Sequence, residues 1–318
     1  MEGHVRVALP FFKFFGDALT YLIVRLVVCV VQSISPESCR QWARLLAYLA
    51  HRVIRFRENV IEENLRTAFP QWDTQQRQKC ALLMWEHLFL MTFEIVHAPH
   101  RIRVANWRQH FTIDELSRFA DFLLSPGPKL IVSGHLGNFE LGGYVAALLG
   151  FPTYTIARPL DNPFLDRLVN RFRTQHGQVI LPKKGSTSAV EAVLRTGGVV
   201  AVLGDQYAGP KGCWVEFFGK PASSHKAIAL FCLVHRAKLA VVVATRGAGF
   251  MQMNIRLMDH IDPDGLLPAE RDVTALTQRY HRALERAICD VPEQYWWVHR
   301  RWKGPPPATV MRNRVAAA

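Results

Sequence analysis

Beyond Pro128 the chain repeats one pattern: a short apolar run of strand length, a turn, then a stretch of helix length. Such alternation has few folded solutions, because each run must pair in a sheet and each intervening helix must bury its apolar face against it. An α/β sheet flanked by helices is therefore predicted. Candidate strands cover residues 130–133, 153–157, 178–181, 199–203 and 239–244, and helices over 139–149, 163–175, 188–195 and 226–237 fill the gaps. After Arg246-Gly247-Ala248-Gly249, the residues Met251, Met253, Ile255 and Leu257 alternate with polar ones, which predicts a hairpin and a mixed sheet. A last helix carries Leu276, Tyr280, Leu284 and Ile288 on one stripe.

The part before Pro128 reads as helical. Ser35-Pro36-Glu37-Ser38 is a helix-start signal, and an amphipathic helix over 36–54 follows. A second over 74–95 sets Leu82, Trp85, Leu88, Phe89, Thr92 and Ile95 on one face, and a short third over 113–124 ends before Ser125-Pro126-Gly127-Pro128. Residues 10–34 are strongly apolar, yet Lys13, Asp17 and Arg25 interrupt them, so no charge-free run reaches the roughly 18 residues of an unmistakable span. Without a clear cleavage site this reads as a retained helix lying in or crossing a bilayer, with a buried core helix as the alternative. The expected division is an N-terminal apolar membrane-associating helix, residues 1–35, and a single α/β domain, residues 36–318, whose first third is helical.

Charge narrows the partners. Against 26 Asp and Glu stand 39 Lys and Arg, a net charge of +13, which favours anionic partners. The basic residues are scattered, with no zinc-finger spacing and no RNA-binding aromatic signature, so a membrane surface or an acidic carrier fits better than nucleic acid. The six cysteines form no CxxC and read as free thiols of a reduced compartment. No HExxH or Cys/His cluster marks a metal site, no GxxxxGK[ST] or GxGxxG marks a nucleotide, and no GxSxG marks a serine hydrolase.

What chemistry the sequence does carry gathers where strands end. In Lys129-Leu-Ile-Val-Ser-Gly-His135-Leu-Gly-Asn-Phe-Glu140, an imidazole and a carboxylate lie five residues apart where a strand meets a glycine turn. A histidine that takes a proton near neutral pH needs a steadied pKa and a fixed tautomer, and Glu140 is placed to supply both. Equally, Asn138 fits an ordinary N-cap and Glu140 a favourable first-turn charge. Arg158 follows the second strand, and Asp205-Gln206 follows the fourth, at the edge where open α/β sheets bind ligands. Lys183 and Lys184 also follow a strand and open a helix, which suits a phosphate or a solvated basic turn. Near the end, Glu293-Gln-Tyr-Trp-Trp297-Val-His299-Arg300-Arg301-Trp302-Lys303 mixes aromatics with cations, as a headgroup-level surface or a segment docked on the core would.

Taken in order, Asn64-Leu-Arg-Thr-Ala-Phe69-Pro70, Ser133-Gly-His135-Leu-Gly-Asn138-Phe-Glu140, Arg158-Pro159 with Asp161-Asn162-Pro163, Gly204-Asp205-Gln206, Phe217-Phe218-Gly219 and Glu293 to Arg301 make the chain resemble one family. It is similar to the bacterial lipid A late acyltransferases, the lauroyl/myristoyl transferases of lipopolysaccharide assembly. The resemblance implies a glycerol-3-phosphate acyltransferase-like mixed sheet flanked by helices. It also implies an inner-membrane enzyme with its catalytic domain on the cytoplasmic side. Such an enzyme moves a fatty acyl chain from acyl carrier protein, or less often coenzyme A, to a hydroxyl of a lipid A precursor. The thioester is a co-substrate, and no cofactor or metal is expected. On this reading His135 is the base, Glu140 holds its imidazole, and Arg158 with backbone N–H groups at the Asn138 helix start stabilises the oxyanion. Asn138, Asp205, Gln206, Lys183 and Lys184 are the expected substrate-binding residues. A related glycolipid or aminolipid acceptor, or a non-catalytic membrane protein of the same fold, are the alternatives.

Overall fold

The computed structural model describes residues 11–182 and 185–308. Helix α1 (Phe11–Ser33) is no core element, for only 6% of its most apolar window is buried, and Leu22, Leu26 and Val30 stay exposed along it. By length and composition its stretch Lys13–Ser33, mean hydropathy 2.0, is long and apolar enough to cross a membrane. It is tied down near its start, where Phe14 meets the Phe164 ring edge-on at 5.5 Å and Asn162 Nδ2 donates to the Asp17 carbonyl at 2.9 Å.

Helix α2 (Pro36–Tyr48) begins at Ser35, whose hydroxyl accepts from the Ser38 N–H at 3.2 Å, and runs on into a π-helical turn, Leu49–Val53. Helix α3 (Glu58–Ala68), which hydrophobic spacing did not announce, leads to α4 (Thr74–Arg101). A capping box starts α4: Asp73 Oδ1 accepts from the Gln76 N–H and Gln76 Oε1 from the Asp73 N–H, each at 2.8 Å. This helix is also apolar enough for a membrane, but 56% of its window is buried and it serves as the central helix of the first third. Its deepest face is not the stripe expected from sequence. Met84, His87, Met91, Glu94 and Ala98 point inward, whereas Leu82, Leu88 and Phe89 are half-buried and Thr92 is exposed. His87 and Glu94 go inside because polar partners wait for them there.

The helix expected over 113–124 divides into strand β1 (Phe111–Ile113) and helix α5 (Leu116–Leu124). Thereafter the predicted alternation holds: β2 (Lys129–Ser133), α6 (Phe139–Leu148), β3 (Thr153–Ala157), α7 (Pro163–Thr174), β4 (Val179–Pro182), α8 (Ser186–Arg195) and β5 (Val199–Leu203). Strands β6 (Cys213–Phe217) and β7 (Lys220–Ser224) form a separate antiparallel ribbon that the sequence pattern did not reveal. Helix α9 (Lys226–Val234), the hairpin of β8 (Lys238–Arg246) and β9 (Met253–Ile261), and α10 (Val273–Asp290) complete the elements. Seven strands pair in the order β1-β9-β8-β2-β5-β3-β4. Strands β8, β2, β5, β3 and β4 run parallel, and the β8–β9 hairpin turns the edge antiparallel, so the sheet is mixed as expected. Leu276, Tyr280, Leu284 and Ile288 are all buried on α10.

Candidate active site

Strands β2 and β5 are neighbours, parallel and in register, with Ser133 opposite Leu203. Each leaves the sheet at the same height, so the residues two places on, His135 and Asp205, come together. His135 Nδ1 lies 2.8 Å from Asp205 Oδ1, and the His135 backbone N–H donates to Oδ2, also at 2.8 Å. This double grip fixes the proton on Nδ1 and leaves Nε2 as the accepting nitrogen. The Gln206 side-chain amide sits 3.1 Å from that same Nε2.

Electrostatics follow from burial and pairing. Burial alone would raise the pKa of Asp205, but the His135 charge and the hydrogen bonds from its ring and backbone hold the carboxyl well below the usual carboxylate range. For His135 burial works downward, yet the charge and hydrogen bond of Asp205, and more weakly the charge of Glu140, outweigh it and raise its pKa above the ordinary histidine value. Tyr295 adds a third donor to Asp205, and burial first, then the Asp205 charge, hold its phenol protonated. The ring of Phe139 stands edge-on to the imidazole at 5.2 Å and that of Trp296 is tilted against it at 5.0 Å. The His135 side chain keeps 14% of its surface exposed.

The turn that carries His135 is clamped from both sides. Gly137 N–H donates to the Gln294 carbonyl at 3.0 Å, Asn138 N–H to the Ala244 carbonyl at 2.8 Å, and Trp296 N–H to the His135 carbonyl at 3.0 Å. Gly137 has φ +62°, and a Cβ there would stand 2.0 Å from the Ala244 carbonyl oxygen, so no residue with a side chain fits. Beneath the turn, buried Glu94 pairs with Arg246 and accepts from Asn138 Nδ2 and the Met251 N–H, each at 3.0 Å. Arg246 Nε donates to His87 Nδ1 at 3.3 Å, and His87 Nε2 donates to the Gly137 carbonyl at 3.2 Å. Burial, with the Arg246 charge, pushes the His87 pKa down to about 3, in keeping with a neutral ring that accepts at one nitrogen and donates at the other.

Several residues expected from sequence change their places. Glu140 does not hold the imidazole; it binds Arg173, with Arg173 Nε to Oε2 at 3.0 Å and a second contact from NH2 to Oε1. It sits in the first turn of α6 facing α7, while Asp205 reaches His135 because β5, not the next turn of chain, lies beside β2. Arg158 is not brought to the base. Strand β5 intervenes between β2 and β3, and the Arg158 side chain is 75% exposed, with Asp161 at 4.0 Å as its ion-pair partner among the described residues. Asn138 is fully buried as the α6 cap, accepting from the Leu141 N–H at 3.2 Å and donating to Glu94, and is out of reach of a substrate. Asp205 and Gln206, expected to hold a headgroup or Arg158, instead touch His135 itself. Lys183 and Lys184 lie outside the described residues. The aromatic and basic stretch near the end is a docked segment rather than a headgroup surface: Tyr295, Trp297 and Arg301 are buried, and Arg301 donates to the Ser223 carbonyl and to Ser224 Oγ at 2.7 Å.

Arg173, Trp296 and the Glu94–Arg246–His87 cluster had not been singled out from sequence. Trp296 lay within a quoted motif, and a His and a Glu seven residues apart on the α4 face were the available sign of a buried polar pair. Nothing in the spacing of α7 distinguished Arg173 from its neighbours Arg167 and Arg171. Among the described residues, no group of three or more His, Cys, Asp or Glu is arranged to hold a metal ion.

A family model described as bacterial lipid A biosynthesis acyltransferase matches residues 10–304. The lipid A biosynthesis lauroyltransferase of Escherichia coli strain K12 is 26% identical over 296 residues, covering 91% of this chain and 92% of that protein. The lipid A biosynthesis palmitoleoyltransferase of the same organism is 26% identical over 284 residues, covering 87% and 88%. Among solved structures, the 1-acyl-sn-glycerophosphate acyltransferase PlsC of Thermotoga maritima aligns with a TM-score of 0.39 at 13% identity, covering 82% of this chain and 100% of that one.

Proposed function

The chain belongs to the bacterial lipid A biosynthesis acyltransferase family, and from that premise we infer that it esterifies a hydroxyl of a lipid A precursor with a fatty acyl chain taken from acyl carrier protein or coenzyme A. The observation that carries the reading is the His135–Asp205 pair, 2.8 Å apart at the carboxyl edge of β2 and β5, with Nε2 facing only the Gln206 amide among the described hydrogen bonds. Transfer is direct. Nε2 of His135 takes the proton of the acceptor hydroxyl as its oxygen forms a bond to the thioester carbonyl carbon, and Asp205 steadies the imidazolium. When the tetrahedral intermediate collapses, the C–S bond breaks and the imidazolium proton goes to the departing thiolate. The products are an ester and a free thiol, and the proton transfers run through side chains alone.

Negative charge develops on the carbonyl oxygen and needs a donor. The Glu140–Arg173 pair brings a guanidinium to the first turn of α6, the role expected of Arg158 from sequence, and the first-turn N–H groups of Phe139 and Glu140 are further donors. Gln206 donates to Nε2 until the acceptor hydroxyl takes its position, which makes the amide a placeholder for the nucleophile. The net charge of +13 suits an acidic carrier, and α1 suits an anchor in the inner membrane with the sheet on the cytoplasmic side. The test is acyl transfer from a defined acyl-carrier thioester to a lipid A precursor, read as product mass. His135→Ala is expected to cost about 10²–10⁴-fold in rate with the circular dichroism unchanged. Near-normal turnover in that variant would overturn the base assignment, and a product other than an acylated lipid A precursor would overturn the acceptor.

A further inference from the structure

The mixture of aromatic, aliphatic and basic side chains that the sequence shows near its end is present a second time, between Pro36 and Arg57, and there it is on the surface. Along α2 and the π-helical turn, Trp42, Leu45, Leu49, Val53 and Phe56 recur at spacings of three, four, four and three, and all are exposed. The opposite face, with Cys39, Ala43, Ala47 and Ala50, is buried, and α2 packs through it on α4. The wide π turn keeps His51 inside while Val53 and Ile54, the latter 68% exposed, swing outward. Between Pro36 and Arg57 five arginines stand against one glutamate, and with Arg44 paired to Glu86 and Arg55 to Glu58 a surplus of cations still remains.

We propose that α2 and the Leu49–Val53 turn form a second lipid-contacting element, lying in the interface of an anionic phospholipid bilayer with Trp42, Leu49 and Val53 among the acyl chains and the arginines at headgroup level. The element follows α1 closely in the chain: α1, itself apolar and exposed, ends at Ser33, three residues before α2 begins. An apolar stripe flanked by cations, with Trp42 and Tyr48 along it, is what an interfacial helix needs: burial for the stripe, and arginines whose stems lie along it while their charges meet lipid phosphates. A second copy of the chain fits the same face poorly, because it would set each copy's five arginines against the other's. The element is also coupled to the site. Just beyond it, Arg57 at the start of α3 donates from NH1 to the Val298 carbonyl at 2.9 Å, and Asn64 on α3 from Nδ2 to the carbonyls of Trp297 and His299 at 2.6 and 2.7 Å, all in the segment that carries Trp296 to His135. Seating this element in the leaflet thus fixes the height of His135 over the lipid surface, a purpose that rests on the lipid-acceptor reading above.

The experiment uses the full chain in vesicles of phosphatidylethanolamine and phosphatidylglycerol, with photoreactive benzoylphenylalanine at Val53 or, as control, at exposed Arg195 on α8. Lipid adducts at position 53 are expected to exceed those at 195 by about tenfold, and to fall severalfold when phosphatidylcholine replaces phosphatidylglycerol or when Arg52→Glu and Arg55→Glu are introduced. Equal adducts at the two positions, or cross-links from position 53 to a second copy of the chain, overturn the proposal. Repeating the measurement in His135→Ala separates the two readings: lipid contact without acyl transfer leaves this inference standing, whereas active enzyme without lipid adducts overturns this inference alone.

Discussion

At His135 two carboxylates divide the work: Asp205 grips the ring, and Glu140 acts on it only through space while binding Arg173. Because the folded pKa of His135 is raised, the ring stays protonated to higher pH than a free imidazole, whose pKa is about 6.5. A general base must be neutral, so the acid limb of kcat/KM is expected above that value, with activity growing as pH rises through it. In Asp205→Asn the charge that raises the pKa is gone and the tautomer is no longer fixed. The limb should move to lower pH and turnover should drop by about 10³–10⁴-fold, to be read from pH–rate profiles of both proteins. The two arginines give a second comparison. Arg173→Ala should cost about 10²–10³-fold in kcat if its guanidinium stabilises the oxyanion. Arg158→Ala should stay within about twofold, since an exposed contact like that with Asp161 contributes little.

The catalytic turn depends on elements that never meet a substrate. Helix α4 supplies His87 and Glu94, strand β8 supplies Arg246 and the Ala244 carbonyl, and the segment after α10 supplies Gln294 and Trp296. Three separate parts of the chain thus hold Leu136 to Asn138, and Gly137 is enclosed so tightly that its hydrogen is the only substituent that fits. Replacing Glu94 by Gln leaves the part-buried Arg246 without its counter-charge. Removing one partner of such a pair typically costs about 3–5 kcal/mol, so a marked fall in the thermal denaturation midpoint is expected, together with lost turnover as the turn loosens. The helix period located α4 but not its inner face, because an apolar count ranks Leu82 and Leu88 above His87 and Glu94. A polar side chain is buried when a partner is there to receive it, and those partners come from 44 to 159 residues further along the chain.

For the whole molecule, the surplus of cations is the property that acts at a distance. If it recruits an acidic carrier, raising the salt concentration should increase the KM for the carrier thioester severalfold and leave kcat unchanged, because screening beyond about 10 Å weakens encounter but not the buried chemistry at His135. Initial rates at two ionic strengths check this. The aromatic rings illustrate how one composition serves two ends in one chain. At Trp297 the ring is buried with Tyr295 and Arg301, while at Trp42 the same residue type lies on the surface.

By itself the sequence determined the α/β class, the mixed sheet, an apolar helix at the start, and the identity of His135, Asp205 and Gln206 as residues at strand ends. These follow from local periodicity and turn chemistry, which act over a few residues and are written along the chain. Only the tertiary structure decided which of them meet. Strand order set β5 rather than β3 beside β2, and so gave His135 to Asp205, left Arg158 in solvent, and let α7 deliver Arg173 to Glu140. Pairing between strands some 70 residues apart is fixed by how the sheet as a whole buries its faces, and no spacing along the chain records that choice.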